Sequence, residues 1–158
     1  MVIRFLLPGK SREKFLQSGY DEYLKRMSRY AKVSLVTLPE EPLPSNPSPE
    51  QINQALAKEA KRYLPLIKKD ETLILLDVRA KEVDSNQLAS KLSQLKQRSG
   101  NFVFLLGSSY GLDDSIRQKA DFSFSLSKLT FTHYLALLLL LEQVYRSLKI
   151  INGETYDK

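Results

Sequence analysis

Residues Asn101 to Arg146 read NFVFLLGSSYGLDDSIRQKADFSFSLSKLTFTHYLALLLLLEQVYR, and this stretch decides the fold. An apolar run, Phe102 to Leu106, ends abruptly in Gly107-Ser108-Ser109-Tyr110-Gly111. A second run, Phe122 to Leu126, ends in Ser127-Lys128-Leu129-Thr130-Phe131-Thr132-His133, and a long apolar helix follows. Two buried strands that each empty into a small-residue or hydroxyl-rich loop make an α/β ligand crevice, because ligands there sit beyond the carboxyl ends of parallel strands. The crevice falls close to the C-terminus, whereas most nucleotide-binding α/β domains place their glycine loop after the first strand.

The rest of the chain alternates in the same way. Val2 to Leu7 reads as a buried strand closed by Pro8-Gly9, and a helix opens at Ser11 with Phe15, Tyr20, Tyr23, Leu24 and Met27 on its apolar face. Lys32 to Leu38 is a second strand. Pro39 to Pro49 holds five of the seven prolines and predicts an extended surface loop, since proline suits neither helix nor central strand. Ser48-Pro49-Glu50 is an N-cap followed by proline at the first helical position, opening a helix to about Leu66. The apolar stretch Thr72 to Val78 is a third strand ending at Asp77, and Asp84 or Ser85 caps a helix that Ser99-Gly100 stops. A short helix over Leu112 to Lys119, a strand over Asp121 to Leu126 and a last helix over Thr132 to Ile151 complete the chain. Strands separated by helices predict one α/β domain with a mainly parallel sheet covered on both faces.

Bulk properties bound the chemistry. The chain has 158 residues, enough for one domain with a real core, and 42% apolar and 27% charged residues, as in ordinary globular proteins. Cysteine is absent, which excludes a disulfide framework, a thiolate nucleophile and Cys-ligated metal and fits a reducing cytoplasm. A single histidine, His133, excludes a His-rich metal site, and no metal is expected. The start, MVIRFLLPGK, is too soon interrupted for a secretory signal, and Tyr134 to Leu141 is far short of the roughly 18 residues that span a bilayer. The net charge of +6 favours polyanionic partners without identifying one.

Several residues invite a chemical role, each with a plainer alternative. The Gly107 to Gly111 loop is neither a Walker motif nor a GxGxxG fingerprint, and two glycines after a strand are common turn chemistry. The segment Leu126 to Phe131 can surround a polar ligand edge between apolar walls, or simply cap the last helix through Thr130 or Thr132. His133 reads first as a local hydrogen-bonding or packing residue. Asp77 and Glu82 do not rise above surface carboxylates. On the last helix Glu142 and Arg146 have ion-pair spacing. There Leu135, Leu138, Leu139 and Val144 can face the sheet, so that Leu137, Leu140 and Leu141 need cover from a second subunit. These residues lead to a dimeric α/β protein with a C-terminal crevice, and not to a reaction.

Three motifs add more: Phe102-Val-Phe-Leu-Leu-Gly107, Ser125-x-Ser127-Lys128-x-Thr130-Phe131-x-His133, and Glu142-Gln143-x-Tyr145-Arg146. In their order and separation, and in the Gly153-Glu154-x-Tyr156 tail, the whole chain resembles the bacterial ribosomal RNA large subunit methyltransferase H family. That family is a minimal branch of the SPOUT superfamily of S-adenosylmethionine-dependent RNA methyltransferases. The resemblance implies a single domain over residues 1–158 with a trefoil knot at about 102–151, working as a cytoplasmic homodimer. It implies S-adenosylmethionine as cofactor and N3 of a pseudouridine in 23S rRNA, on assembled ribosomes, as target. Carried over position by position, cofactor contacts fall on Leu76, Gly107, Leu126, Ser127, Lys128, Leu129, Thr130 and Phe131. The substrate side falls on Arg146, His133 and Tyr156. The chain departs from the family pattern at Ser108, Thr132 and Asp157, where a glycine, a proline and a histidine are usual. Ser108 and Asp157 motivate the alternative expectation, a non-catalytic RNA- or ribosome-binding protein with the same fold.

Overall fold

The computed structural model describes residues 1–156. Five strands, β1 (Val2–Pro8), β2 (Lys32–Leu38), β3 (Thr72–Leu76), β4 (Asn101–Leu106) and β5 (Phe122–Phe124), form one sheet in the order β2-β1-β4-β3-β5. Every pairing is parallel. The most continuous apolar run lies on β4, which takes the centre, because a strand covered on both faces has no polar side to offer. Side chains alternate between two cores. Phe5 and Phe104 are register partners with stacked rings 5.2 Å apart on one face, while Leu6, Leu75 and Leu105 point to the other. Fully burying such a side chain is worth about 1.5–3 kcal/mol.

Helices α1 (Lys14–Met27), α3 (Ser85–Lys96) and α5 (His133–Ile151) cover the first face, and α2 (Pro49–Tyr63) and α4 (Asp114–Lys119) the second. Local chemistry places their ends. Ser48 and Asp84 each make a reciprocal capping box with the glutamine three residues on. Pro65 lacks the N–H a continuing α-helix needs, so α2 stops at Tyr63 and tightens into a 3-10 turn over Leu64–Leu66. The proline-rich stretch is irregular, as expected, and α2 holds it down. The Tyr63 hydroxyl donates to the Pro39 carbonyl at 2.7 Å, and the Glu41 amide donates to buried Glu59 at 3.1 Å.

Two helix faces differ from expectation. On α1 the buried positions are Leu16, Tyr20 and Met27, while Phe15 is 67% exposed. On α5 the phase differs: Val144 is buried as expected, but Leu137, Leu140 and Leu141 are fully buried within the chain as well, and Leu135 is exposed. This helix is apolar around most of its circumference, so periodicity leaves its phase open. The sheet, α1 and α3 together supply the cover a second subunit was expected to provide. Leu138 packs on α1 at Gly19, where an added Cβ would come within 2.7 Å of it. Among the described residues no helix is long and apolar enough to cross a membrane.

Candidate active site

A cleft of about 790 Å³ opens beyond the carboxyl ends of β3, β4 and β5. Leu76, Leu106, Leu126 and Ala136 give it apolar walls, and Ser108, Ser127 and Thr130 bring hydroxyls to it. The Gly107 to Gly111 loop forms one side. It is closed by the Gly111 amide donating to the Ser108 carbonyl at 2.9 Å, with Gly111 at φ +97, a conformation side chains disfavour. A Cβ on Gly107 would lie 2.8 Å from the Gly111 carbonyl group. Glycine at 107 is therefore dictated first by closure of its own loop, and only then by what approaches it.

Asp77, expected to be no more than a surface carboxylate, is buried and organises the opposite side. Its amide donates to the Phe124 carbonyl, tying β3 to β5. Its carboxylate accepts the Arg79 amide at 3.1 Å and Arg117 Nε at 2.6 Å. Burial works against the Arg117 charge, but the carboxylates of Asp77 and Asp114 outweigh it and hold the guanidinium pKa above its ordinary value. Asp77, Arg79 and Arg117 all line the cleft. The Asp77–Arg117 pair spans 40 residues, and no local sequence signal marks it.

The segment from Ser125 to Thr132 forms the third side. The buried Ser125 hydroxyl donates to the Ser127 carbonyl at 2.9 Å, and Ser127 Oγ accepts the Leu129 amide at 3.0 Å. Thr132 caps α5 by accepting the Leu135 amide. Among the described residues the amides of Leu126, Lys128, Thr130 and Phe131 meet no protein acceptor, so the segment presents donors between apolar side chains. Leu129 is 73% exposed and Phe131 39%, an uncommon display for large apolar residues. Of the eight expected cofactor positions, Leu76, Gly107, Leu126, Ser127, Leu129, Thr130 and Phe131 line this cleft, while Lys128 is exposed outside its wall. An apolar slot edged by backbone donors and hydroxyls suits a nucleoside, and the volume is that of a small-molecule site.

The three expected substrate-side residues are divided. His133 lines the cleft, and its Nε2 lies 2.9 Å from the Pro8 carbonyl and 3.4 Å from Glu40. A carbonyl only accepts, so Nε2 carries the hydrogen and Nδ1 is the acceptor of the neutral ring. Arg146 and Tyr156 stand outside the cleft, Arg146 between three and four helical turns along α5 from His133 and Tyr156 beyond the end of that helix. There they converge on Glu142, which accepts Arg146 Nη2 at 2.6 Å and the Tyr156 hydroxyl at 2.8 Å. Burial and this bond to Glu142 both push the Tyr156 pKa up. Glu142 in turn lines a second cleft of about 380 Å³ that shares Ser125, Leu126 and Phe131 with the first. Asp157 lies outside the described residues.

Comparison with known proteins gives the family. The sequence profile of the family described as "Predicted SPOUT methyltransferase" matches residues 1–157. The chain is 42% identical to the "Ribosomal RNA large subunit methyltransferase H" of Acetivibrio thermocellus, over 100% of both chains. It is 41% identical to the protein of that name from Symbiobacterium thermophilum, again over 100% of both. A whole-chain profile match and full-length relatives above 40% identity, on an all-parallel α/β fold, leave one assignment: the chain belongs to the SPOUT methyltransferases, in the ribosomal RNA large subunit methyltransferase H family.

Proposed function

We propose that this chain transfers the methyl group of S-adenosylmethionine to N3 of a pseudouridine in 23S rRNA, acting on assembled ribosomes in the cytoplasm as a homodimer. The observation that carries the proposal is the 790 Å³ cleft, whose walls come from the strand ends and loop at Leu76, Gly107 and Leu126 to Phe131. A trefoil knot over about 102–151 is part of the same proposal.

Bound in this cleft, S-adenosylmethionine supplies an electrophilic methyl group. The chain's own residues bind and orient. Leu76, Leu126 and Leu129 would hold the adenine between apolar side chains, and the unengaged amides of the 126–131 segment would meet its polar atoms. The ring of His133, locked by the Pro8 carbonyl, presents Nδ1 as an acceptor at the α5 end of the site. Holding reactants in line removes orientational entropy from the barrier, and that is the chief work asked of a methyl-transfer site. The Arg146 cation, which Glu142 holds in one chain, would favour loss of the weakly acidic N3 proton to solvent. In one chain Arg146 and Tyr156 do not line the cleft, and a two-fold partner is the simplest way to bring a second copy of them to it.

Isothermal titration calorimetry with S-adenosylmethionine tests the cofactor. Saturable binding that weakens when Leu126 is replaced by Asp supports the proposal. Absence of heat and of competition at millimolar ligand contradicts it and favours a non-catalytic ribosome-binding protein.

A further inference from the structure

At one corner of the large cleft the carboxyl end of β1 meets the start of α5, and the proline-rich stretch delivers a carboxylate there. Glu40 stands between two residues that α2 holds. The Pro39 carbonyl accepts the Tyr63 hydroxyl, the Glu41 amide donates to Glu59, and the Glu41 carboxylate pairs with Arg62 and Lys58. Fixed on both sides, Glu40 reaches His133, with its Oε1 3.4 Å from Nε2. Gly9 makes the space for it. Its φ is +76, and a Cβ there would lie 2.9 Å from the Glu40 carboxyl carbon and 2.7 Å from the Tyr134 hydroxyl.

This carboxylate differs from its neighbour. Glu41 holds two cations, whereas among the described residues Glu40 meets no lysine or arginine. The ring does not need it as a hydrogen-bond acceptor either. The Nε2 hydrogen already has the Pro8 carbonyl at 2.9 Å, which leaves Glu40 to act by its charge. Among the described residues the ionisable groups that meet the imidazole are Glu40 and Tyr134, whose ring centroid is 4.0 Å away. Burial, and then the charge of Glu40, raise the Tyr134 pKa, so this neighbour stays neutral.

His133 is the first residue of α5, at the positive end of the helix dipole, which disfavours a protonated ring. A carboxylate beside Nε2 opposes that effect and supports positive charge on the imidazole. A histidine that only packs has no use for such support. His133 also lines the cleft, and among the described residues its Nδ1 meets no protein donor.

We propose that His133 Nδ1 accepts the N3 proton of the target base, and that Glu40 is the positioning residue that sustains this through Nε2. The assignment rests on the methyl transfer proposed above and names the base that serves it. As the N3–H bond breaks toward Nδ1, the N3 electron pair forms the new bond to carbon. The C–S bond breaks with its pair left on sulfur, and the imidazolium then returns the proton to water.

The chain has one histidine, so imidazole resonances in NMR report this ring alone. Without any ligand, Glu40→Gln moves their titration to lower pH, whereas Glu41→Gln leaves it in place. In methyl transfer to ribosomes, Glu40→Gln lowers kcat on the order of tenfold at unchanged KM for the cofactor, and His133→Ala lowers it about a hundredfold. Neutral Nδ1 is the working form, so losing the carboxylate also carries the acidic limb of kcat to lower pH. A merely loosened fold lowers the plateau and leaves the limb where it was. Resonances that titrate alike in the unmodified chain and in folded Glu40→Gln overturn the proposal. So does an unmoved limb, or full kcat in His133→Ala. Those results, with methyl transfer by the unmodified chain intact, remove this base alone. No transfer by the unmodified chain removes the methyltransferase reading and the base with it.

Discussion

A methyl group at Gly107 would sit 2.8 Å from the carbonyl carbon and oxygen of Gly111, so the loop walling the large cleft has no room for a side chain there. Gly107→Ala must displace that loop. It should cost about 1–3 kcal/mol, in the range of other overpacked sites, and weaken S-adenosylmethionine binding in calorimetry. A variant with native melting temperature and native affinity would contradict both the packing and the pocket. Glu59 makes a different test. Burial raises its carboxyl pKa, even though the Glu41 amide donates to it and the Tyr63 hydroxyl lies 3.2 Å away. A raised folded-state value means that ionised Glu59 destabilises the native state at neutral pH, and that this cost disappears once acid protonates it in both states. Glu59→Gln should therefore raise the melting temperature at pH 7, with the gain vanishing below the ordinary carboxylate range. A gain that is the same at both pH values would assign the effect to something other than titration.

On α5 the side chains that look alike in sequence have opposite surroundings. Leu140 is fully buried among the sheet and its neighbouring helices, and Leu135 is exposed at the other side. Leu140→Ala should cost roughly 2–5 kcal/mol in urea unfolding. Leu140→Lys should leave no folded protein, whereas Leu135→Lys should stay folded and shift the mass in light scattering from the proposed dimer to monomer. A folded Leu140→Lys protein would refute the helix phase. The element order was legible in the sequence because apolar runs, prolines and capping residues act locally. Ser48 and Asp84 cap where expected, and the two strands of the 101–146 stretch empty into the cleft. What stayed hidden was set by tertiary partners. The phase of α5 depends on which helices flank it. Strand β5 ends at Phe124 because the Ser125 amide leaves β3 for the Lys81 carbonyl. The burial of Asp77 depends on Arg117, which reaches it from α4. Cofactor-side positions cluster because they follow strand ends. The substrate-side residues do not, because thirteen positions on one helix separate His133 from Arg146.

The whole chain carries a net charge of +6, and its described residues build one sheet with its helices. Its own surface must then hold the phosphate backbone, through counterion release that weakens with salt. Attraction of that kind selects no single nucleotide. A preassembled target that presents one loop in one shape supplies the missing selectivity, and shape is what proteins read in structured RNA. The homodimer belongs to the same account, since Arg146 and Tyr156 lie away from the cleft of their own chain. Ribosomes from a strain lacking this activity, incubated with the protein and S-adenosylmethionine labelled in the methyl group, test the central claim most directly. The label should appear on N3 of one 23S rRNA pseudouridine, decline as salt is added, fall with Arg146→Ala, and be weak on deproteinised rRNA. Equal transfer to naked 23S rRNA would contradict the ribosome dependence, and no transfer to either substrate would contradict the methyltransferase itself.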